Sequence, residues 1–350
     1  MGLPCGTFNE TYRQDKAIIR TRMQWFFLIA GMALIFGVIP NVSGPFLLTT
    51  FILCGYYIIG TLGINILTGF TGQLSLGHSA FVAVGAYTGA TLSYHLGWSF
   101  WAAVPCAALM AGSVGLIFGL PSLRVKGFYL ALATLAAQVI IMYAITHFNS
   151  LTRGVIGIPV PSVEIGGFAF NTDYRFYYLC MAFVVILTII AHNIARSKLG
   201  RAFMAIRDND LAAEVMGINL LRYKLLAFFI GCAYAGIAGV IYAYWMGAIT
   251  PEPFTLMESV WYLGMVIVGG LASTFGSVAG AVVITFLSEY TTYFFSSLAN
   301  VWPEAVSVVL PMRGALFAGI VILFLIFEPR GLAHRWALIK SYYRLWPFTY

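Results

Sequence analysis

Charge is what this sequence has least of. Only 9% of its 350 residues are Asp, Glu, Lys or Arg, against roughly 25% in a soluble globular domain. Between Arg22 and Arg124 there is none at all. A soluble fold could not cover its surface with so few, so lipid must be the solvent for most of the chain. A phosphate-binding loop is also missing: no Gly-x-x-x-x-Gly-Lys-Ser/Thr occurs, and the dipeptide Gly-Lys is absent altogether. Any ATP that drives this protein must then be bound by another chain. His-Glu-x-x-His, paired catalytic acids and a Ser nucleophile elbow with a His partner are absent too, which leaves little for a membrane-embedded enzyme to work with. Cysteine is scarce and scattered. Cys5, Cys54, Cys106, Cys180 and Cys232 have neither metal spacing nor the density of a disulfide framework, and read as small buried hydrophobes.

What the chain does have is apolar surface, at 61% of residues and a mean hydropathy of +0.89. A span needs about 20 mainly apolar residues. Candidate spans fall near 24–40, 46–68, 74–92, 99–120, 127–148, 176–195, 225–247, 257–270, 277–297 and 308–327. The fold class expected is an all-α polytopic membrane protein of about ten transmembrane helices. It forms one membrane domain over 1–350, with a core at 24–328 and tails at 1–23 and 329–350. The basic N-terminal arm precedes an apolar run without a small-residue cleavage site, so that run reads as a retained first span.

The net charge of +7 describes orientation, not a nucleic-acid partner, because the basic residues sit between spans. With the N-terminus inside and ten alternating spans, Arg13, Lys16, Arg20, Arg22, Arg124 and Lys126 lie inside. So do Arg196, Lys198, Arg201, Arg207, Arg222, Lys224, Arg330, Arg335, Lys340 and Arg344. Only Arg153, Arg175 and Arg313 fall outside or within a span. This positive-inside bias puts both termini in the cytoplasm. The outer loops, about 149–175 and 247–257, carry Glu164, Asp173, Pro251, Glu252 and Pro253; they suit either a docking surface for a soluble partner or ordinary wet loops.

One inner segment is too long for a connection. More than twenty residues join the sixth and seventh spans, where a handful would do. Leu199, Phe203, Ile206 and Asp210 mark a helical stripe, Asp208-Asn209 suits an N-cap, and Gly217 suits a C′ residue. Two readings are open from the residues: a helix that seats in another protein's groove, or an amphipathic surface linker.

This segment resembles the cytoplasmic coupling region of LivM-type permeases of branched-chain amino acid ABC importers. The resemblance rests on Gly200-Arg201-Ala202, Ala205-Ile206-Arg207-Asp208, Ala212-Ala213-Glu214 and Met216-Gly217-Ile218. Three further runs agree, in family order: Gly69-Phe70-Thr71-Gly72-Gln73-Leu74-Ser75-Leu76-Gly77-His78, Val268-Gly269-Gly270-Leu271-Ala272-Ser273 and Glu328-Pro329-Arg330-Gly331-Leu332. Leu211 stands where the broader importer loop carries Glu, with Asp210 one residue earlier.

The resemblance implies a bacterial inner-membrane permease that binds no cofactor of its own. ATP and Mg²⁺ would sit on two cytoplasmic ATPase subunits. A second, different permease subunit would complete the membrane domain, and an extracytoplasmic binding protein would deliver solute. Urea and amide importers share these motifs. The residues it marks for ATPase coupling are Arg201, Ala205, Arg207, Asp208, Asp210, Ala212, Ala213, Glu214 and Gly217. A secondary transporter or channel for a small polar solute is the alternative.

Polar groups at depth mark candidate path residues. Gly69–Gly77 and Val268–Gly280 are Gly-rich breaks, tolerable in lipid only where buried or lining a cavity, and the two resemble equivalent elements of an internal repeat. Close helix packing is the competing reading, since Gly85/Gly89, Gly115/Gly119 and Gly276/Gly280 have GxxxG spacing. Asn65, Gln73, Ser75, His78, Gln138, Gly269, Gly270 and Glu289 are the path candidates. His78 lacks a second ligand at metal spacing. Glu258 reads as interfacial, near the outer end of its span, and Glu289 as the deeper acid.

Overall fold

The computed structural model describes residues 22–125, 127–165, 168–299 and 305–345. Most of the N-terminal tail, Lys126, the end of the C-terminal tail and the Arg313 side chain lie outside what is described. Each of the ten predicted runs is helical. α1 (Arg22–Ala33) continues through a π-turn at Leu34–Val38 into Ile39–Val42. α2 (Pro45–Ile64) runs on as a π-helix at Asn65–Phe70. Then come α3 (His78–Leu96), α4 (Phe100–Gly119), α5 (Phe128–His147) and α6 (Asp173–Arg196). Two short helices, α7 (Lys198–Asp208) and α8 (Asp210–Val215), precede α9 (Leu220–Met246). α10 (Leu256–Gly269), α11 (Thr274–Ala299), α12 (Ala305–Phe327) and α13 (Gly331–Leu345) complete the chain.

Six of these, α2, α4, α5, α6, α9 and α11, are long and apolar enough to cross a membrane alone, and the bent pair α12–α13 makes a seventh. Within α1, Leu28–Val42 counts only as a shorter apolar helix, as does α10. α3 is not among the six; it carries Thr, Ser, Tyr and His through its length. It can be so polar because it is shielded: α3 packs against both α4 and α9, and most of its residues are buried. Among the described residues, ten helical runs are therefore present, of which six or seven meet the length-and-apolarity test on their own.

The ends sort into two layers. At one end Gly69, Gln73, the α7–α8 segment, Lys224, Gly270 and Gly331 come together. At the other, Ile158–Pro159 pairs antiparallel with Ala248–Ile249, Trp245 donates to Asp173, and Arg153 donates to the Tyr94 hydroxyl. This is the sorting that ten alternating runs require. The first end carries nearly all the described basic residues and is called the basic end below.

Close packing at the centre depends on glycine. A Cβ on Gly239 of α9 would fall on the Val82 carbonyl of α3 and within 2.7 Å of the Ala86 nitrogen. One on Gly85 would fall on the backbone of Gly236. Small residues let helix backbones approach where lipid offers no hydrophobic drive to associate. Gly115, Gly119 and the Gly276/Gly280 pair are likewise in tight contact, so the packing reading of the GxxxG pairs holds.

Candidate functional site

Two broken elements meet in the middle of the molecule. The first descends as α2, loosens into the π-helix at Asn65–Phe70, turns at Gly72 (φ +69°) and climbs back without helix to His78. His78 Nε2 lies 2.9 Å from the Gly60 carbonyl oxygen. Gly60 is ten residues before Phe70, so α3 begins on the order of 15 Å from the basic end. The second element enters from the opposite end: after Ala248–Ile249 the chain passes Pro251 and Pro253 and starts α10 at Leu256.

The two helix starts are knotted by side chains. The Ser79 amide donates to Ser259 Oγ (2.9 Å), and Ser79 Oγ donates to the Thr255 carbonyl (2.7 Å). Gln138, from α5, completes the knot. Its Oε1 accepts from the Ala80 amide (2.9 Å) and Ser79 Oγ (3.0 Å), while Nε2 donates to the Phe254 carbonyl (2.9 Å). A helix start leaves backbone N–H groups without intrahelical partners, and in lipid each must be satisfied inside the protein. Gln138 and Ser259 do that here. Beside the knot, Gln138, Thr255 and Leu256 border an open cavity of about 590 Å³, otherwise lined mainly by apolar side chains such as Val139 and Met142.

The other path candidates distribute as follows. Asn65 bridges to the turn after α10: Oδ1 accepts from the Ala272 amide (2.9 Å) and Nδ2 donates to the Ser273 carbonyl (3.2 Å). Gln73 Nε2 reaches the Lys224 carbonyl at 3.5 Å. Ser75 is fully buried, and its hydroxyl has no protein partner among the described residues. Gly269 lies against Gly276 and Gly280, and Gly270 (φ +111°) against Gly331. Glu289 sits apart, near Cys54, three turns of α2 away from Asn65. Gln138 and His78 are thus central, Asn65, Gln73, Gly269 and Gly270 belong to the basic end, and Glu289 joins neither group.

Two expectations shift. Glu258 is not interfacial: α10 starts at depth, so Glu258 stands one residue from the Ser79–Ser259 contact. The counterpart of the 69–77 break is the 247–255 stretch, which also re-enters before a helix start, whereas 268–280 is a glycine-tight helical hairpin. The sequence reading also missed Ser79, Thr255 and Ser259. Thr255-x-x-Glu258 is a capping pattern, realised by the Glu258 amide on Thr255 Oγ1 (3.4 Å), and it could have marked the buried helix start.

The 197–219 segment is built as its local signals require. Ser197 caps α7 by accepting from the amides of Leu199 and Gly200, and Asn209 caps α8 by accepting from Ala212. α8 ends in a Schellman turn: Gly217 (φ +86°) donates to the Glu214 carbonyl and Ile218 to that of Ala213. Ala202, Phe203, Ile206 and Ala213 face the protein; Ala205 is half-buried. The opposite face offers Arg201, Asp208, Ala212 and Glu214 to solvent, with Val215 and Met216 at 87% and 82% exposed. Lys224 is only 5% exposed and donates to Asp210 at 3.3 Å. Arg207 Nη1 donates to the Gly69 carbonyl at 3.1 Å. Beside the Arg207 contact, an open cleft of about 360 Å³ is lined by both the segment and the first break.

Comparison with known proteins follows this geometry closely. The family described as "Branched-chain amino acid transport system / permease component" matches residues 46–326, a range that takes in both breaks and the 197–219 segment. The "High-affinity branched-chain amino acid transport system permease protein LivM" of Escherichia coli K12 is 32% identical over 302 residues, covering 79% of this chain and 67% of its own. The "Probable branched-chain amino acid transport permease protein LivM" of Methanocaldococcus jannaschii is 25% identical over 238 residues, 66% of this chain and 67% of its own. The E. coli K12 LivH permease protein is 22% identical over 261 residues, 69% of this chain and 83% of its own. No solved structure matches the chain.

Proposed function

The chain belongs to the branched-chain amino acid transport system permease family, and on that premise we propose that it is the membrane-spanning subunit of an ABC importer. Its solutes are branched-chain amino acids or related small polar compounds such as urea and amides, carried into the cytoplasm across the bacterial inner membrane. The observation that carries this reading is the family match over 46–326, which includes the capped 197–219 segment. In this reading the segment is the coupling region: its exposed face seats in one of two cytoplasmic ATPase subunits, which bind ATP and Mg²⁺. Because LivM-named and LivH-named proteins both resemble this chain, the second permease subunit is a different but related chain. An extracytoplasmic binding protein delivers solute to the opposite end.

ATP would drive the cycle by displacing the coupling region and so opening the two ends in alternation. The residues at the centre are suited to this. Both helix starts are held by exchangeable side-chain hydrogen bonds, not by continuous backbone, so the knot can part and re-form.

Orientation follows from the basic end, which faces the cytoplasm with both termini. In a background lacking the native cysteines, Asn209→Cys, exposed at the basic end, should react with an impermeant thiol reagent only from the cytoplasmic side. Ser162→Cys, exposed at the other end, should react only from outside; outside labelling of position 209 would sink both the topology and the coupling region.

The function itself is tested by reconstitution. Liposomes holding the purified chain alone should take up no labelled leucine. Addition of its genomic partners and ATP should restore uptake. Uptake by the isolated chain, driven by a proton or sodium gradient and indifferent to ATP, would make it a secondary transporter instead.

A further inference from the structure

The cleft at the basic end raises a mechanical question. The 197–219 segment packs Ala202, Phe203 and Ile206 against the protein. Beside that packing about 360 Å³ of open space lies between the segment and part of the first break, and polar ties cross it. Asp210 pairs with the buried Lys224, whose own carbonyl meets Gln73. The other tie is Arg207.

Arg207 is held as a lever would be. Its Nε and Nη2 both donate to Asp208 Oδ1, at 3.2 and 3.1 Å, which leaves Nη1 aimed at the Gly69 carbonyl. That carbonyl lies in the last turn of the π-helix, where carbonyls lack a following turn to bond them. Gly72 brings the backbone so near that a Cβ there would stand 3.0 Å from Arg207 Cγ. Beyond Gly69 the contact continues without a gap. A Cβ on Gly69 would fall on Asn65 Oδ1, and Asn65 grips Ala272 and Ser273. Gly270, on the same turn, abuts Gly331 at the bend before α13.

We propose that Arg207 is a positioning residue of transport: it ties the coupling region to the Gly69 carbonyl, so that displacement of the region moves the α2–α3 break, and Asn65 hands that movement to the 270–273 turn. The two breaks and the bend before α13 then shift as one set. The proposal rests on the importer reading. It adds which side chains carry the stroke inside this subunit, where Asn65 can touch no ATPase.

The test uses the full complex in liposomes, carrying Arg207→Ala, Arg207→Lys, Asn65→Ala or the Arg207→Ala/Asn65→Ala double variant. ATPase copurification, labelled leucine uptake, and ATP hydrolysis with and without loaded binding protein are measured. Asn65→Ala should copurify with the ATPases at the wild-type ratio and keep basal hydrolysis. Both Ala variants should lose stimulation by loaded binding protein, with uptake down ten-fold or more. Arg207→Lys, which keeps a donor, should recover much of the coupling, and the double variant should be no worse than either single one. Normal stimulation and uptake in either Ala variant overturns the proposal. Loss of ATPase copurification in Arg207→Ala also overturns it, because Arg207 would then be a docking contact. Were Arg207→Ala to misfold, Asn65→Ala and Arg207→Lys still decide. A wild-type complex without ATP-driven uptake would count against the importer reading, not against the tie.

Discussion

Gly239→Leu is expected to abolish the folded protein. The new Cβ would collide with the Val82 carbonyl and the Ala86 nitrogen, both backbone atoms of a central helix, so no rotamer change relieves the clash. α3 and α9 would have to separate, and α3 also packs on α4. Ordinary overpacking costs about 1–3 kcal/mol because side chains shift; forcing two backbones apart belongs with the exceptional losses above about 4 kcal/mol. Fluorescence-detected size exclusion in mild detergent should show no monodisperse peak. Gly319→Leu on α12, where nothing lies within 4 Å of the new Cβ, should elute as wild type. A sharp Gly239→Leu peak would mean that the α3–α9 contact is looser than described.

Gln138→Met is the second large effect, and it acts on transport as much as on stability. Methionine fills a similar volume but offers neither Oε1 nor Nε2. The Phe254 carbonyl would lose its Gln138 donor at mid-depth, at roughly 1–3 kcal/mol, while the Ala80 amide would keep only its 3.2 Å bond to the Gly77 carbonyl. Side-chain hydrogen bonds in membrane proteins average nearer 0.6 kcal/mol, because alternatives are found in the membrane-embedded reference state. The larger range applies to the Phe254 carbonyl, a backbone group at a chain break. Thermal unfolding in detergent should begin about 2–4 °C below wild type, at about 1.4 °C per kcal/mol for a chain of 350 residues. Uptake by the complex should fall at least ten-fold while the chain still inserts. An unchanged melting midpoint would sink the view that Gln138 holds the two helix starts together.

What the sequence disclosed about this architecture follows the range of the forces involved. Each helical run was legible because lipid demands long apolar stretches, a requirement met residue by residue. The 197–219 segment was legible almost in full, since Ser197, Asn209 and Gly217 act on partners two to five residues away. Depth was not. Local composition put the start of α3 near residue 74, yet helix begins at His78, because 71–77 is spent on re-entry. The same blindness made Glu258 look interfacial. The central knot joins Ser79 to Gln138 and Ser259, 59 and 180 residues apart, and nothing local pairs such positions in a single sequence. Lys224 was read as one more flanking charge; burial beside Asp210 gives it a structural part that charge counting cannot see.

The long separation inside that knot bears on how the protein is made. Ser79 emerges from the ribosome well before Thr255 and Ser259, its partners from the second broken element. At about 5–20 residues per second, the gap is roughly 10–35 s. For that interval α3 would sit in the membrane with its start held at most by Gln138, an exposed polar break in an apolar medium. Biogenesis should therefore have a vulnerable window that closes only when α10 arrives. Chains truncated after α9 should be retained by insertion factors or degraded, although α2, α4, α5, α6 and α9 are each long and apolar enough to cross the bilayer.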